Sequence, residues 1–193
     1  TGLEINTTYG QTSRNDGETT NLNLNYGHKI GDDGGFINIT FEYNNREKTS
    51  RSQNHNLVIF DQSAYGNFFA YDFSNPNASQ IDDDLIAAAG LTRNDFNFQV
   101  GDAKIKNVQG FLNTVIPLNK DAEFYLSGGF NQKNGTGFGF RRLPSETYNV
   151  VSSLFPYGFQ PELKSDISDV SVISGLRFKF SDWKLDVSNT VGQ

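Results

Sequence analysis

The chain has 193 residues, a formal net charge of −6, and neither cysteine nor methionine. Without cysteine there is no disulfide framework, thiol nucleophile or thiolate zinc site, and with a pI near 4.8 no basic stripe is present to neutralise nucleic-acid phosphates. Hydrophobic residues make up only 36%, yet 17 Phe and 8 Tyr lift aromatics to 13%, a balance that suits β structure with apolar residues at alternate positions.

In chain order, Gly2 to Gly10 alternates Leu3, Ile5, Thr7 and Tyr9 against Glu4, Asn6 and Thr8. A period of two places the two sets on opposite faces of a strand. After a polar turn centred on Asn15-Asp16-Gly17, Thr20 to Ile30 sets Leu22, Leu24 and Tyr26 against Asn21, Asn23 and Asn25. The short turn Gly31 to Gly35 leads into Phe36 to Asn45, where Ile37, Ile39, Phe41 and Tyr43 oppose Asn38, Thr40 and Glu42. Asparagine recurs on the second face despite its poor strand propensity. From Arg46 to about Ala103 the alternation stops, leaving a long, partly structured insertion with aromatics at Tyr65, Phe68, Phe69, Tyr71 and Phe73. Within it, Asp82 or Asp83 reads as the N-cap of a short helix, Asp84 to Ala89, ending at Gly90.

Lys104 to Pro117 returns to strand with Val108, Leu112 and Ile116 on the apolar face, a phase that Phe111 and Val115 blur. Glu123 to Asn131 alternates Phe124, Leu126 and Phe130 against Glu123, Tyr125 and Ser127, and Gln132 to Ser168 reads as a second excursion. The last stretch, Asp169 to Gly192, forms a hairpin about Ser181-Asp182. Val170, Val172, Leu176, Phe178, Phe180, Trp183, Leu185, Val187 and Val191 share one face, and Arg177, Lys179, Lys184 and Asp186 the other.

The connections run long, short, long, short, long, short. Antiparallel neighbours place alternate connections at opposite ends, so all the long loops leave one side. That asymmetry, on strands with one apolar and one polar face, is the pattern of a transmembrane barrel with short periplasmic turns and long extracellular loops. No apolar run approaches the roughly 20 residues of a membrane helix. The fold expected is therefore all-β: an antiparallel, up-and-down transmembrane β-barrel segment with long extracellular loops. Seven strands are fewer than the smallest closed barrels hold, so the chain reads as part of a single, larger barrel domain that begins and ends beyond it. Tyr9, Tyr26, Tyr43, Phe180 and Trp183 fall where interfacial aromatic girdles belong.

Four phrases carry a family resemblance: GLEINTTYGQT (Gly2–Thr12), GDDGGFINITFEYNNRE (Gly31–Glu47), FLNTVIPLNKDAEFYLSGGFNQKNGTGFGFRR (Phe111–Arg142), and FPYGFQPELKSDISDVSVISGLRF with DWKLDVSNTVGQ (Phe155–Gln193). Together they resemble the barrel of TonB-dependent outer-membrane receptors of the Bacteroidetes type. The resemblance implies a 22-stranded barrel with a plug in its lumen, importing a siderophore, vitamin, glycan or peptide. The implied partners are outer-membrane lipid and the TonB-ExbB-ExbD complex, acting through a plug that these 193 residues do not contain. A surface lipoprotein over the mouth is compatible with the same reading, and no nucleic acid or cofactor is implied. A passive porin-like or adhesive barrel, and a soluble β-sandwich binding module, are the competing readings.

No catalytic constellation is visible, because His28 and His55 are the only histidines and neither is placed with a serine and an acid. The run Asp82-Asp83-Asp84 lacks the spacing of a calcium loop, and Asp166 and Asp169 read as turn or strand-edge residues. GTGFGF (Gly135–Phe140) follows no buried parallel strand and opens no helix, so it is not a phosphate loop. Candidate ligand contacts in the mouth loops are Arg141 and Arg142, which suit an anion or a plug carboxylate, and Tyr65, Phe68, Phe69, Tyr71, Tyr157 and Phe159 as stacking surfaces. Loop salt bridges and the loops' own packing explain the same residues at least as well. Asn23, Asn25, Asn38, Thr40, Glu42, Lys184 and Asp186 are expected to line the lumen.

Overall fold

A computed structural model describes residues 1–54, 59–60, 65–67, 70–71 and 78–193. Nine strands and one α-helix follow in the order β1 (Gly2–Gly10), β2 (Thr19–Ile30), β3 (Gly35–Arg46), β4 (Tyr65–Asn67), β5 (Ala70–Tyr71), α1 (Ala78–Ala88), β6 (Lys104–Asn119), β7 (Ala122–Phe138), β8 (Glu162–Phe180) and β9 (Trp183–Gly192). A 3-10 turn, Arg93–Phe96, follows the helix. Strands β1, β2, β3, β6, β7, β8 and β9 form one antiparallel, up-and-down, seven-stranded sheet, and β4 pairs only with β5. The large sheet is open, with β1 and β9 as its edges.

The register follows from the alternation. Ile5 lies across from Leu24 and Leu24 from Phe41, while Asn6 meets Asn23 and Asn23 meets Glu42. A slip of one residue would move each apolar set to the other face. Phe111 pairs with Thr40 on one side and Gly129 on the other, which resolves the blurred phase by placing its ring on the polar face. Glycines accept such rings. A Cβ at Gly129 would lie 2.9 Å from the Phe111 ring, and one at Gly110, on the opposite face, 2.6 Å from that of Phe130. Aromatic side chains lying over glycines across a strand pair fill the space those residues leave.

The structure corrects two boundaries. Strand β7 continues to Phe138 and β8 starts at Glu162, so the second connection spans 139–161 rather than 132–168. The β7 extension carries polar residues and glycine on both faces, and in the β8 extension Ser165 interrupts the apolar set of Leu163 and Ile167, so the hydrophobic period is weak in both. Part of the GTGFGF run is accordingly strand. The helix also begins earlier than expected, at Ala78, which places Asp82 in its interior instead of at its N-cap. Its end matches expectation. Leu91 N–H bonds to Ile86 C=O and Gly90 N–H to Ala87 C=O, both at 3.0 Å, with Gly90 at φ +69°. These are the two bonds of a Schellman stop, which favours glycine at the left-handed position.

The chain divides into two compact units. The first comprises Thr1–Lys48, Ala103–Thr136 and Lys164–Gln193, and holds the large sheet; the second comprises Thr49–Asp102 and Gly137–Leu163. Among the described residues the buried hydrophobic side chains are Ile59, Ile86, Phe96, Leu143 and Val150, and every one belongs to the second unit. The sheet contributes none, and its apolar face is open: Leu3, Tyr9, Leu185, Val187, Phe180 and Trp183 are all exposed, the last two by 79% and 77%. Among the described residues no helix is long and apolar enough to cross a membrane.

Candidate functional site

The polar face of the sheet is a wall that carries cross-strand hydrogen bonds between side chains. Asn25 donates to Thr40 Oγ1 at 2.8 Å and exchanges bonds of 3.2 and 3.1 Å with Asn38. Asn44 donates to Asn21, and Gln109 to Glu42. Asparagine competes with its own backbone when alone in a strand, whereas cross-strand pairs of amides satisfy one another and stabilise the ladder. Asn23 joins this wall by register, between Asn6 and Glu42.

Farther along, the wall becomes charged. Arg177 Nε lies 3.1 Å from Asp186, its Nη1 lies 3.0 Å from Glu123, and its guanidinium stacks 4.2 Å from the centre of the Tyr125 ring. Tyr125 donates its hydroxyl to Asp186 at 2.8 Å, over the bare backbone of Gly175. Lys184 sits directly across from Lys179, a like-charge pair. All seven residues expected on the polar wall therefore share one face of the sheet. The sequence reading missed Gln109 and Phe111, because the apolar Phe111 and Val115 on the polar face of β6 blurred the alternation. It also missed the Arg177 cluster, which only the β7–β8 neighbourhood assembles.

The second unit has its own small core. Ile59, Ile86, Phe96 and Leu143 cluster, with Phe60 and Leu91 against them. Asp82 and Ile86 are one turn apart on the same helix face, and Asp82 is fully buried. Its carboxylate accepts the N–H groups of Ile59 at 2.5 Å and Phe60 at 2.7 Å, which offsets the cost of burying a charge. Asp82→Ala should destabilise this unit by about 1–3 kcal/mol through orphaned N–H groups, with faster amide exchange at Ile59 and Phe60 as the measurement. The neighbouring acids point elsewhere: Asp83 pairs with Arg93 at 2.6 Å, and Asp84 accepts from Gln80 at 2.9 Å. Among the described residues no group of three or more His, Asp or Glu side chains could hold a metal ion.

The two candidate arginines diverge. Arg141 stacks 5.3 Å from the centre of the Phe96 ring and donates to the Tyr157 carbonyl at 3.3 Å. Partial burial pulls its guanidinium below the ordinary value, with Asp95 opposing. Arg142 is bridged through its backbone to Phe159 and reaches Glu146 at 3.8 Å. Each thus has its own local partners. Tyr157 packs edge-on against Phe60 at 6.4 Å, and Phe159 against Phe155 at 4.7 Å. Gly158 lies between them at φ +65°, where a Cβ would collide with the Arg142 carbonyl. Tyr65 and Tyr71 are register partners in the β4–β5 pair; their side chains, and His55, Phe68, Phe69 and Phe73 entirely, lie outside the described residues.

The 3-10 turn carries a titratable cap. Asp95 accepts the N–H and the hydroxyl of Thr92, each at 2.8 Å. The backbone bond first, then the hydroxyl, hold its carboxyl below the ordinary range against slight desolvation, with Arg141 adding attraction. A depressed folded-state value means the cap's contribution is present above the ordinary carboxyl pKa and is lost as pH falls through the lowered one. The protection of the Thr92 amide, its exchange relative to the intrinsic rate at each pH, should fall over that acid window, and Asp95→Asn should remove that change in protection.

Compared with protein-family models, with curated proteins and with solved structures, the chain finds no match in any of the three.

Proposed function

We propose that the seven-stranded sheet is an arc of a transmembrane β-barrel in the bacterial outer membrane, part of a TonB-dependent receptor that imports a scarce nutrient. The carrying observation is the uncovered apolar face opposite a hydrogen-bonded polar wall, in a sheet that supplies none of the buried hydrophobic side chains found among the described residues. A soluble sandwich packs the inner faces of two sheets on each other, and a contiguous apolar face of this extent in water is an aggregation liability. In lipid the same face is the favourable one, and closure with further strands satisfies the edges β1 and β9.

The chain order supports the orientation. The β2–β3, β6–β7 and β8–β9 connections are tight turns, and those after β1, β3 and β7 are longer. The first set then faces the periplasm and the second the exterior. In this reading the loop unit meets ligand, the Asn-rich and charged wall lines the lumen, and a plug outside these residues transmits force from TonB-ExbB-ExbD. The energy-coupled step rests on the family resemblance of the four phrases named above. No reaction chemistry is assigned.

The test is fractionation of the native source, detergent extraction, and gel mobility with and without boiling. The expected result is an outer-membrane band of several times this chain's mass that shifts on boiling. A water-soluble species of this chain's own mass would overturn the reading.

A further inference from the structure

We propose that the groove around Phe111 on the polar wall is a subsite for a neutral, hydroxyl-rich ligand, such as one pyranose unit of an oligosaccharide; this rests on the receptor reading above and names its substrate class. Phe111 is an anomaly on that wall. Its register partners are Thr40 and Gly129, and its ring lies over the glycine, yet it remains 48% exposed. An aromatic ring held against backbone on one side and open on the other, amid amides and hydroxyls, is a platform awaiting an apolar face.

Its surroundings define the ligand. The groove has a volume of about 580 Å³, within the roughly 300–1,000 Å³ of small-molecule sites. Glu42, Gln109, Asn131 and Asp169 all line it, with Gln109 the register partner of both Glu42 and Asn131. In each pair the amide donates to the carboxylate: Gln109 to Glu42, and Asn131 to Asp169 at 3.4 Å. The Gln109 carbonyl also accepts from Asn107 at 3.4 Å, which leaves it one lone pair; with the Asn131 carbonyl, the carboxylate lone pairs and the second amide hydrogens, the two pairs still offer both acceptors and donors. Vicinal hydroxyls, which donate and accept, match that mixed set, and the C–H face of a pyranose matches the ring.

Other ligand classes fit less well. Among the described residues lining the groove there is no lysine or arginine, so phosphate, carboxylate or catecholate would meet carboxylates without a countercharge. A quaternary ammonium would be drawn to the ring and the acids, but it has no acceptor for the amide hydrogens.

The experiment is calorimetric titration of the detergent-extracted native protein, with all its strands, with maltohexaose, cellohexaose and xylohexaose, and separately with tetramethylammonium. At least one oligosaccharide should bind. Phe111→Ala should weaken it by about tenfold or more, whereas Phe111→Tyr, which keeps the ring, should bind within about threefold of the parent. Asp169→Asn, which keeps the hydrogen bonding without the charge, should retain sugar binding. Absence of binding by all three sugars, or binding that Phe111→Ala leaves intact, would overturn the subsite. Tetramethylammonium binding that Phe111→Ala and Asp169→Asn both abolish would reassign the groove to cations and overturn it as well. Boiled and unboiled samples of each preparation separate the two levels. A heat-modifiable membrane protein that binds no sugar refutes the subsite alone, and a water-soluble one refutes the receptor reading with it.

Discussion

If the proposed barrel reading holds, arginine in place of Leu24 or Ile39 is expected to destabilise the sheet by about 2–4 kcal/mol, the cost of a cation on a lipid-facing surface near the bilayer midplane. Both positions lie inside the apolar face. Leu24 has Ile5 and Phe41 as register partners, and Ile39 has Tyr26 and Leu112, so a charge at either has no polar neighbour across the ladder. Leu185, across from Phe178 on the edge strand β9, should respond in the same direction. On the other face, Asn25→Arg and Thr40→Arg should cost less than about 1 kcal/mol, since both sites already point into an amide and hydroxyl network. Denaturant titration of the vesicle-inserted protein, read by heat-modifiable mobility, measures both sets. Equal sensitivity of the two faces would contradict the assignment of one to lipid.

Phe96→Ala is expected to cost the loop unit about 3–5 kcal/mol. The ring is fully buried, meets Phe60 edge-on at 5.6 Å and supports the Arg141 guanidinium. Its removal leaves a cavity among Ile59, Ile86 and Leu143, and takes away the surface that holds Arg141. A core this small has few other contacts to absorb the loss, so the segments 78–102 and 139–161 should become sensitive to protease on intact cells. The gel mobility set by the seven-stranded sheet, with and without boiling, should stay as in the parent protein. Ligand capture should fall if the loop unit contributes to it.

The sheet was legible in the sequence because each strand repeats one rule, apolar against polar at a period of two, and the turns punctuate it with Gly, Asn and Asp. The register then follows, since pairing Leu24 with anything polar would break both faces. Legibility failed where periodicity carries no contrast. Gln132–Phe138 extends β7 with polar residues and glycine on both faces, and in Glu162–Ser168 Ser165 breaks the apolar set of Leu163 and Ile167, so the alternation was too short to mark the strand. Phe111 seemed a defect in phase and is instead an aromatic residue on the polar wall, identifiable once Gly129 is known to lie opposite.

The loop unit was opaque for a different reason. Its core joins Ile59, Ile86, Phe96 and Leu143, residues far apart in sequence and without period. Asp82 looked like a cap because aspartate favours that role, whereas burial and two backbone N–H groups at Ile59 and Phe60 place it mid-helix. The candidate arginines were found, but not their partners. Phe96 and Glu146 give each a separate local role that sequence spacing does not encode.

The most direct test of the central claim uses the absence of cysteine from the chain. Single cysteines at each position from Thr20 to Tyr26, carrying nitroxide labels in the vesicle-inserted protein, would report accessibility to oxygen, which concentrates in lipid, and to a nickel chelate, which stays in water. The account predicts strict alternation: oxygen collisions high at Leu22, Leu24 and Tyr26, and nickel collisions high at Asn21, Asn23 and Asn25. Labels on both faces that collide with nickel alike would contradict it and return the sheet to water.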